Sequence, residues 1–144
     1  TFEKCSSLSQ VKIPDSVVSI GNRAFAECTL LSTIDIPFSV TSIGESAFTE
    51  CSSLEKAIIS DSVTSIGKYC FYKCKSLVSV KLSDSITSIE ESTFEECDLL
   101  SDIKIPESVD SIGDKAFFKC YKLSNLAIKP SITFIGSNAF SLKW

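Results

Sequence analysis

The chain has no histidine, which removes the commonest general base and the commonest metal ligand from its chemistry. It also lacks an Asn-x-Ser/Thr glycosylation acceptor, since Asn22, Asn125 and Asn138 are each followed by the wrong residues. No apolar run approaches the roughly 20 residues that a membrane-spanning helix needs. The formal charge of −4 leaves no basic footprint for nucleic acid and no cationic stripe for anionic lipid. No nucleophile–base constellation, phosphate loop or metal cluster is present, so no catalytic residue, metal or cofactor is assigned. The first residue is Thr1, and no signal peptide follows. The chain is therefore expected to be a piece of a longer protein whose targeting segment lies elsewhere.

What the sequence does have is a period. Phenylalanine recurs every 23 residues, at Phe2, Phe25, Phe48, Phe71, Phe94, Phe117 and Phe140. Cysteine follows three residues later, from Cys5 through Cys28, Cys51, Cys74 and Cys97 to Cys120. Leucine columns run from Leu8 to Leu123 and isoleucine columns from Ile20 to Ile135 in the same register. Fixed columns of this kind are the signature of a repeat architecture in which one unit cannot bury its own apolar face but a stack can.

Within a unit the apolar spacing changes character. In Leu8–Ile13, Val11 and Ile13 alternate with Gln10 and Lys12, as in a half-buried strand. Pro14, Pro37 and Pro106 end the strand by removing a ladder donor. A second extended stretch points Val40 and Ile43 inward, and Gly44 then turns the chain, with Gly21, Gly67, Gly113 and Gly136 in the same column. Positive φ is the expected reason for glycine there. Glu90 breaks this column and reads as repeat drift costing about 1 kcal/mol if that φ is needed. Apolar residues at i, i+1 and i+4 in Ala47–Cys51 predict one turn of helix leading to the next strand. The expected architecture is an α/β right-handed solenoid, a single domain over residues 1–144 of about six repeats. Its parallel β-sheet lies on the concave face, with short helical or irregular turns on the convex side.

The unit L-x-x-[IV]-x-[IL]-P-x-S-V-T-S-I-G-x-x-A-F-x-x-C-x-x-L, best seen in Ile36–Cys51, resembles the BspA-like leucine-rich repeats, also called the Treponema pallidum type. The resemblance covers the whole chain. It implies the leucine-rich-repeat solenoid, and a cell-surface or secreted setting like that of family members in bacteria and in parasitic protists such as Trichomonas and Entamoeba. It also implies adhesion to host matrix or cell-surface proteins, and it supplies no binding motif to map onto this chain.

One thiol per repeat has no pairing logic, and the total of seven is odd. The cysteine column is read as buried free thiols, each in position to donate weakly to a neighbouring carbonyl. Cys70 and Cys74 form a lone C-x-x-x-C without further ligands and are read as packing. The outward strand positions supply the candidate binding residues: Lys12, Asp35, Lys56, Ile58, Lys81, Asp102 and Lys104, with Asn125 continuing one column and Ile58 as the apolar anchor. These columns vary while the core columns do not. Tyr69, Tyr72, Phe118 and Tyr121 form an aromatic group on the opposite side, either hot spots or partly buried neighbours of the phenylalanines. Two non-enzymatic functions follow. One is a module that binds a protein ligand; the alternative is a structural protein self-assembling through uncapped solenoid ends, since the chain stops mid-repeat at Leu142–Trp144.

Overall fold

A computed structural model describes residues 1–124 and 126–140. Taking each repeat from its leucine, rung one begins at Leu8 and rung six at Leu123. The strands are short: β1 (Ser19–Ile20), β2 (Thr33–Ile36), β3 (Ser42–Ile43), β4 (Lys56–Ile59) and β5 (Ser65–Ile66) come first. The later ones are β6 (Ser79–Lys81), β7 (Ser88–Ile89), β8 (Asp102–Ile103), β9 (Ser111–Ile112) and β10 (Phe134–Ile135). Alternation sets their faces: β2 buries Ile34 and Ile36 while Thr33 and Asp35 stay exposed, and β4 buries Ala57 and Ile59.

The predicted strands assemble as a four-stranded parallel sheet in the order β2-β4-β6-β8. This long sheet runs through rungs two to five. The strand expected at Leu8–Ile13 does not form. Rung one touches its neighbour there through the Ser32 amide and hydroxyl on the Ser9 carbonyl, at 3.2 and 3.4 Å, which is too few bonds to hold a ladder. The second extended stretch forms two three-stranded parallel sheets, β1-β3-β5 and β7-β9-β10, which are not joined to each other.

No helix is found among the described residues, which corrects the helical turn expected at Ala47–Cys51. The amides of this segment are divided between two directions. Arg23, Phe25 and Glu27 donate to the carbonyls of Glu45, Ala47 and Thr49 in the next rung, at 2.8 to 2.9 Å. Ala24, Ala26 and Cys28 donate within their own rung, three residues back. The alternation needs a left-handed residue on each side of the phenylalanine, and Arg23 (φ 57°) and Glu27 (φ 58°) supply it. The same two columns are left-handed up the stack, at Ser46 and Glu50, Tyr69 and Lys73, Ser92 and Glu96, and Lys115 and Lys119.

The glycine column is also explained differently from expectation, because none of the glycines has positive φ. Here the chain crosses close over the rung before it. A Cβ built on Gly67 would lie 2.5 Å from the Glu45 nitrogen and 2.6 Å from the Gly44 carbonyl carbon. Gly21, in rung one, meets nothing within 4 Å. Glycine is needed because of the stacking.

The core is a set of columns. Phenylalanine rings from Phe2 to Phe140 stack nearly parallel, with centroids 5.3 to 5.5 Å apart, within the range of offset aromatic pairs. Phe48, Phe71 and Phe94 are fully buried, as are Leu31, Leu54, Leu77 and Leu100 beside them.

Candidate functional site

The long sheet sets the candidate residues in register. Thr33, Lys56, Ser79 and Asp102 pair across it, and so do Asp35, Ile58 and Lys81. Parallel pairing thus brings five of the seven sequence-predicted residues into two rows with about 4.8 Å between rungs. Lys104 lies just beyond β8 and shares a shallow depression of about 360 Å³ with Ser79, Lys81, Asp84 and Asp102. Lys12 stands apart on rung one, which adds no strand to the long sheet, beside an apolar hollow lined by Phe2, Ile13, Ile20 and Phe25. Asn125 lies outside the described residues, as do Leu142–Trp144. Ile58, expected to be exposed, is half-buried.

Charge is distributed unevenly over the molecule. On the turn side, Lys75 pairs with Glu96 and Asp98 at 3.4 Å, and Lys119 reaches Glu96 at 3.5 Å. Partial burial of Glu96 opposes its ionisation, yet Lys75 and Lys119 outweigh that and hold its carboxyl below the usual range. Partial burial likewise disfavours the Lys75 cation, but Asp98 and Glu96 raise its pKa. Lys68 pairs with Glu91 at 3.6 Å. On the sheet face, Ser79 donates to Asp102 at 3.1 Å, and Lys81 stands 3.9 Å from Asp61. Among the described residues, Lys12, Lys56 and Lys104 have no carboxylate within ion-pair distance.

The Lys75–Glu96–Lys119 network was not singled out in the sequence, although its signal is there. Lys73, Glu96 and Lys119 alternate in sign down one column, and Lys75 and Asp98 stand one period apart. The aromatic group is partly assembled. Tyr69 and Tyr72 meet edge to face at 5.5 Å, and Lys115 and Lys119 lie over the Phe118 ring at 5.7 and 5.6 Å. Tyr69, Tyr72 and Phe118 are half-buried and Tyr121 is exposed.

All seven cysteines are free thiols. Cys28, Cys51, Cys74, Cys97 and Cys120 each donate to a phenylalanine carbonyl 26 residues back, at 3.0 to 3.2 Å. Burial pushes Cys51 and Cys120 up to about 12, and it holds Cys70, Cys74 and Cys97 well above the ordinary thiol range. Such thiols are not nucleophiles near neutral pH. Among the described residues no group of three or more Cys, Asp or Glu side chains is placed to hold a metal, and no helix is long and apolar enough to cross a membrane.

Comparison with known proteins agrees with the columns. The model of the BspA type leucine rich repeat region matches in six copies, over residues 1–101 and 41–143. A leucine-rich repeat protein of Treponema pallidum is 34% identical with a TM-score of 0.82, over 86% of this chain and 58% of that one. One from Bacteroides ovatus is 33% identical with a TM-score of 0.68, over 94% of this chain and 41% of the other. A leucine rich cell surface protein of Faecalibacterium prausnitzii is 29% identical with a TM-score of 0.63, over 92% of this chain and 43% of the other. The chain thus spans less than two thirds of the length of each. No curated protein matches it. With its 23-residue phenylalanine, cysteine and leucine columns stacked into a parallel solenoid, the chain belongs to the BspA-type leucine-rich repeat family.

Proposed function

We propose that the chain is a non-catalytic protein-binding module, one solenoid domain of a longer cell-surface or secreted protein, acting in adhesion. Its ligand is a protein of the host matrix or cell surface, bound on the outward face of the long sheet, which is taken as the concave side. The observation that carries this reading is the contrast in charge. Lys68, Lys75 and Lys119 on the turn side are engaged by carboxylates of the same chain, whereas Lys56 and Lys104 on the sheet face are not. Lys56 stands in rows with Asp35, Ile58, Lys81 and Asp102, with Lys104 beside them and Lys12 apart on rung one, so that several rungs act on one surface. Unpaired lysines steer an acidic partner, and half-buried Ile58 adds desolvated contact. The cell-surface protein of Faecalibacterium prausnitzii among the similar structures supports the setting.

Replacing Lys56, Lys81 and Lys104 with glutamate is expected to slow association with matrix proteins at least about tenfold, because steering by charge acts on the on-rate. The thermal midpoint should stay close to that of wild type, because these groups face solvent. Surface-immobilised ligand binding read as rates, with a turn-side triple variant at Lys68, Glu91 and Lys115 as control, checks it. Loss of binding in the control alone would move the interface to the turn side. End-to-end self-association is the second reading. Its support is the apolar hollow of about 460 Å³ on rung one, with Phe134 and Ile135 exposed on rung six. A molecular mass independent of concentration by light scattering would remove it.

A further inference from the structure

Rung four carries Glu90 where the other five rungs carry glycine. Every glycine above rung one lies where a Cβ would strike the backbone of the rung before it, and Gly113 faces the same constraint, with the Glu91 nitrogen at 2.6 Å from the would-be Cβ. Glu90 has a Cβ, so rung four cannot lie down on Gly67 and Lys68 as its neighbours do. The ladder shows the consequence. Gly44, Gly67, Gly113 and Gly136 each donate to the isoleucine carbonyl of the preceding rung at 2.7 to 2.9 Å. Thr64 donates to Thr41 and Asp110 to Thr87, both at 2.9 Å. Glu90 makes no such bond to Ile66, and Thr87 makes none to Thr64. The second sheet therefore ends at β5 and restarts at β7, with an open slot of about 330 Å³ between Thr64–Gly67 and Thr87–Glu90.

The rest of the junction is intact. β4 and β6 pair in the long sheet. Tyr69, Phe71 and Lys73 donate across to Glu91, Thr93 and Glu95 at 2.9 to 3.0 Å, and the Phe71 and Phe94 rings stack at 5.5 Å. Side chains bridge the loop that leads into the slot: Ser83 donates to the Val63 carbonyl and Ser85 to the Asp61 carbonyl, both at 2.6 Å. The Glu90 carboxylate accepts the Ser88 hydroxyl at 2.5 Å within its own rung and does not close the gap.

We propose that this seam is a joint built into the solenoid. Rungs one to three and rungs four to six each hold together as a block, and the second-sheet side opens between them while the long sheet and the phenylalanine turns keep the blocks attached. The joint lies at the β4–β6 junction, the centre of the long sheet, so its opening changes the curvature of that sheet at its midpoint.

Amide hydrogen exchange on the full chain tests this. The Thr87 and Glu90 amides are expected to exchange at least about tenfold faster than those of Thr64, Gly67, Asp110 and Gly113, since local opening is cheapest where no ladder bond must break. Glu90→Gly removes the obstructing Cβ and should slow both amides to the level of their neighbours. The thermal midpoint should then rise by about 2–6 °C. Glu90→Ala keeps the Cβ without the carboxylate and should leave the seam open. Slow exchange at Thr87 and Glu90 in the wild-type chain would overturn the proposal outright. So would an alanine variant that closes the seam as fully as the glycine variant, or a glycine variant that leaves exchange unchanged.

Discussion

The Phe25 carbonyl accepts the Cys28 amide at 3.2 Å and the Cys51 thiol at 3.1 Å. A carbonyl has two lone pairs, so one oxygen in the dry interior serves two donors and neither thiol nor carbonyl is left unsatisfied. A small apolar side chain with a weak donor suits this position, which explains a cysteine column without disulfides. The arrangement has a pH signature. In the folded chain Cys51 and Cys120 titrate near 12, against an ordinary 9.0. Below pH 9 both states hold the proton and the contribution to stability is fully present. Between 9 and 12 the unfolded chain releases protons that the folded chain retains, so stability falls by about 1.4 kcal/mol per pH unit per thiol. Melting measured from pH 8 to 10.5 should show that fall, and a Cys51→Ala/Cys120→Ala variant should flatten part of it. A constant gap between the two proteins across the range would mean that other groups are responsible. The neighbouring phenylalanine column carries more of the stability. Phe71→Ala empties a fully buried ring site between two stacked neighbours and is expected to cost about 3–5 kcal/mol in chemical denaturation. A midpoint unchanged from wild type would contradict the stacked-column core.

At the scale of elements, the strands of the long sheet were legible, the missing one at Leu8–Ile13 was not, and neither were the turns. Ile34, Ile36, Ala57 and Ile59 alternate with outward residues, a period of two that fixes which side chains face inward but, as Leu8–Ile13 shows, not whether a ladder forms. Ala47, Phe48 and Cys51 have a spacing that fits both a helical turn and the path observed, in which alternate amides leave for the next rung. Periodicity records which side chains point inward; it does not record where the amides donate. Nor does composition reveal the left-handed columns, because arginine, serine, tyrosine, glutamate and lysine occupy them rather than glycine. The same ambiguity led the glycine column to be read as a φ requirement, when the constraint lies in the rung before it. Ile58, apolar at an outward position, is half-buried where the alternation alone implies exposure. The turn geometry predicts a specific sensitivity. Glu50 has φ 57°, a conformation that β-branched side chains resist. Glu50→Val should destabilise by about 1–2 kcal/mol, whereas Glu50→Gly should not. Equal stabilities of the two variants in urea unfolding would show that the left-handed turn is not a constraint on this column.

The whole molecule behaves as a stack in one dimension, so its stability is set by each rung and by the junctions between neighbouring rungs. That the chain is a stack was readable from the 23-residue period. That one junction differs was visible only as Glu90, and its meaning required the distance between rungs. A one-dimensional stack allows whole units to be removed without breaking any column, which gives a test of the junctions themselves. Deleting residues 31–53 removes rung two and joins rung one to rung three, leaving Glu90 over Gly67. Deleting residues 77–99 removes rung four and sets Gly113 over Gly67, two rungs that both carry glycine. The two shortened chains have the same length and the same number of junctions, so terms that scale with size cancel between them. They differ in whether the seam survives. The chain lacking 77–99 should therefore melt higher than the chain lacking 31–53, by about 2–6 °C if restoring the two ladder bonds contributes on the order of 1 kcal/mol. Removing residues 77–87 instead, which cuts a unit midway and shifts every later column out of register, should abolish cooperative melting. Equal midpoints for the two whole-unit deletions would place the break at Glu90 outside the energetics of the stack, and the reverse order would show that rung four contributes more than its open junction costs.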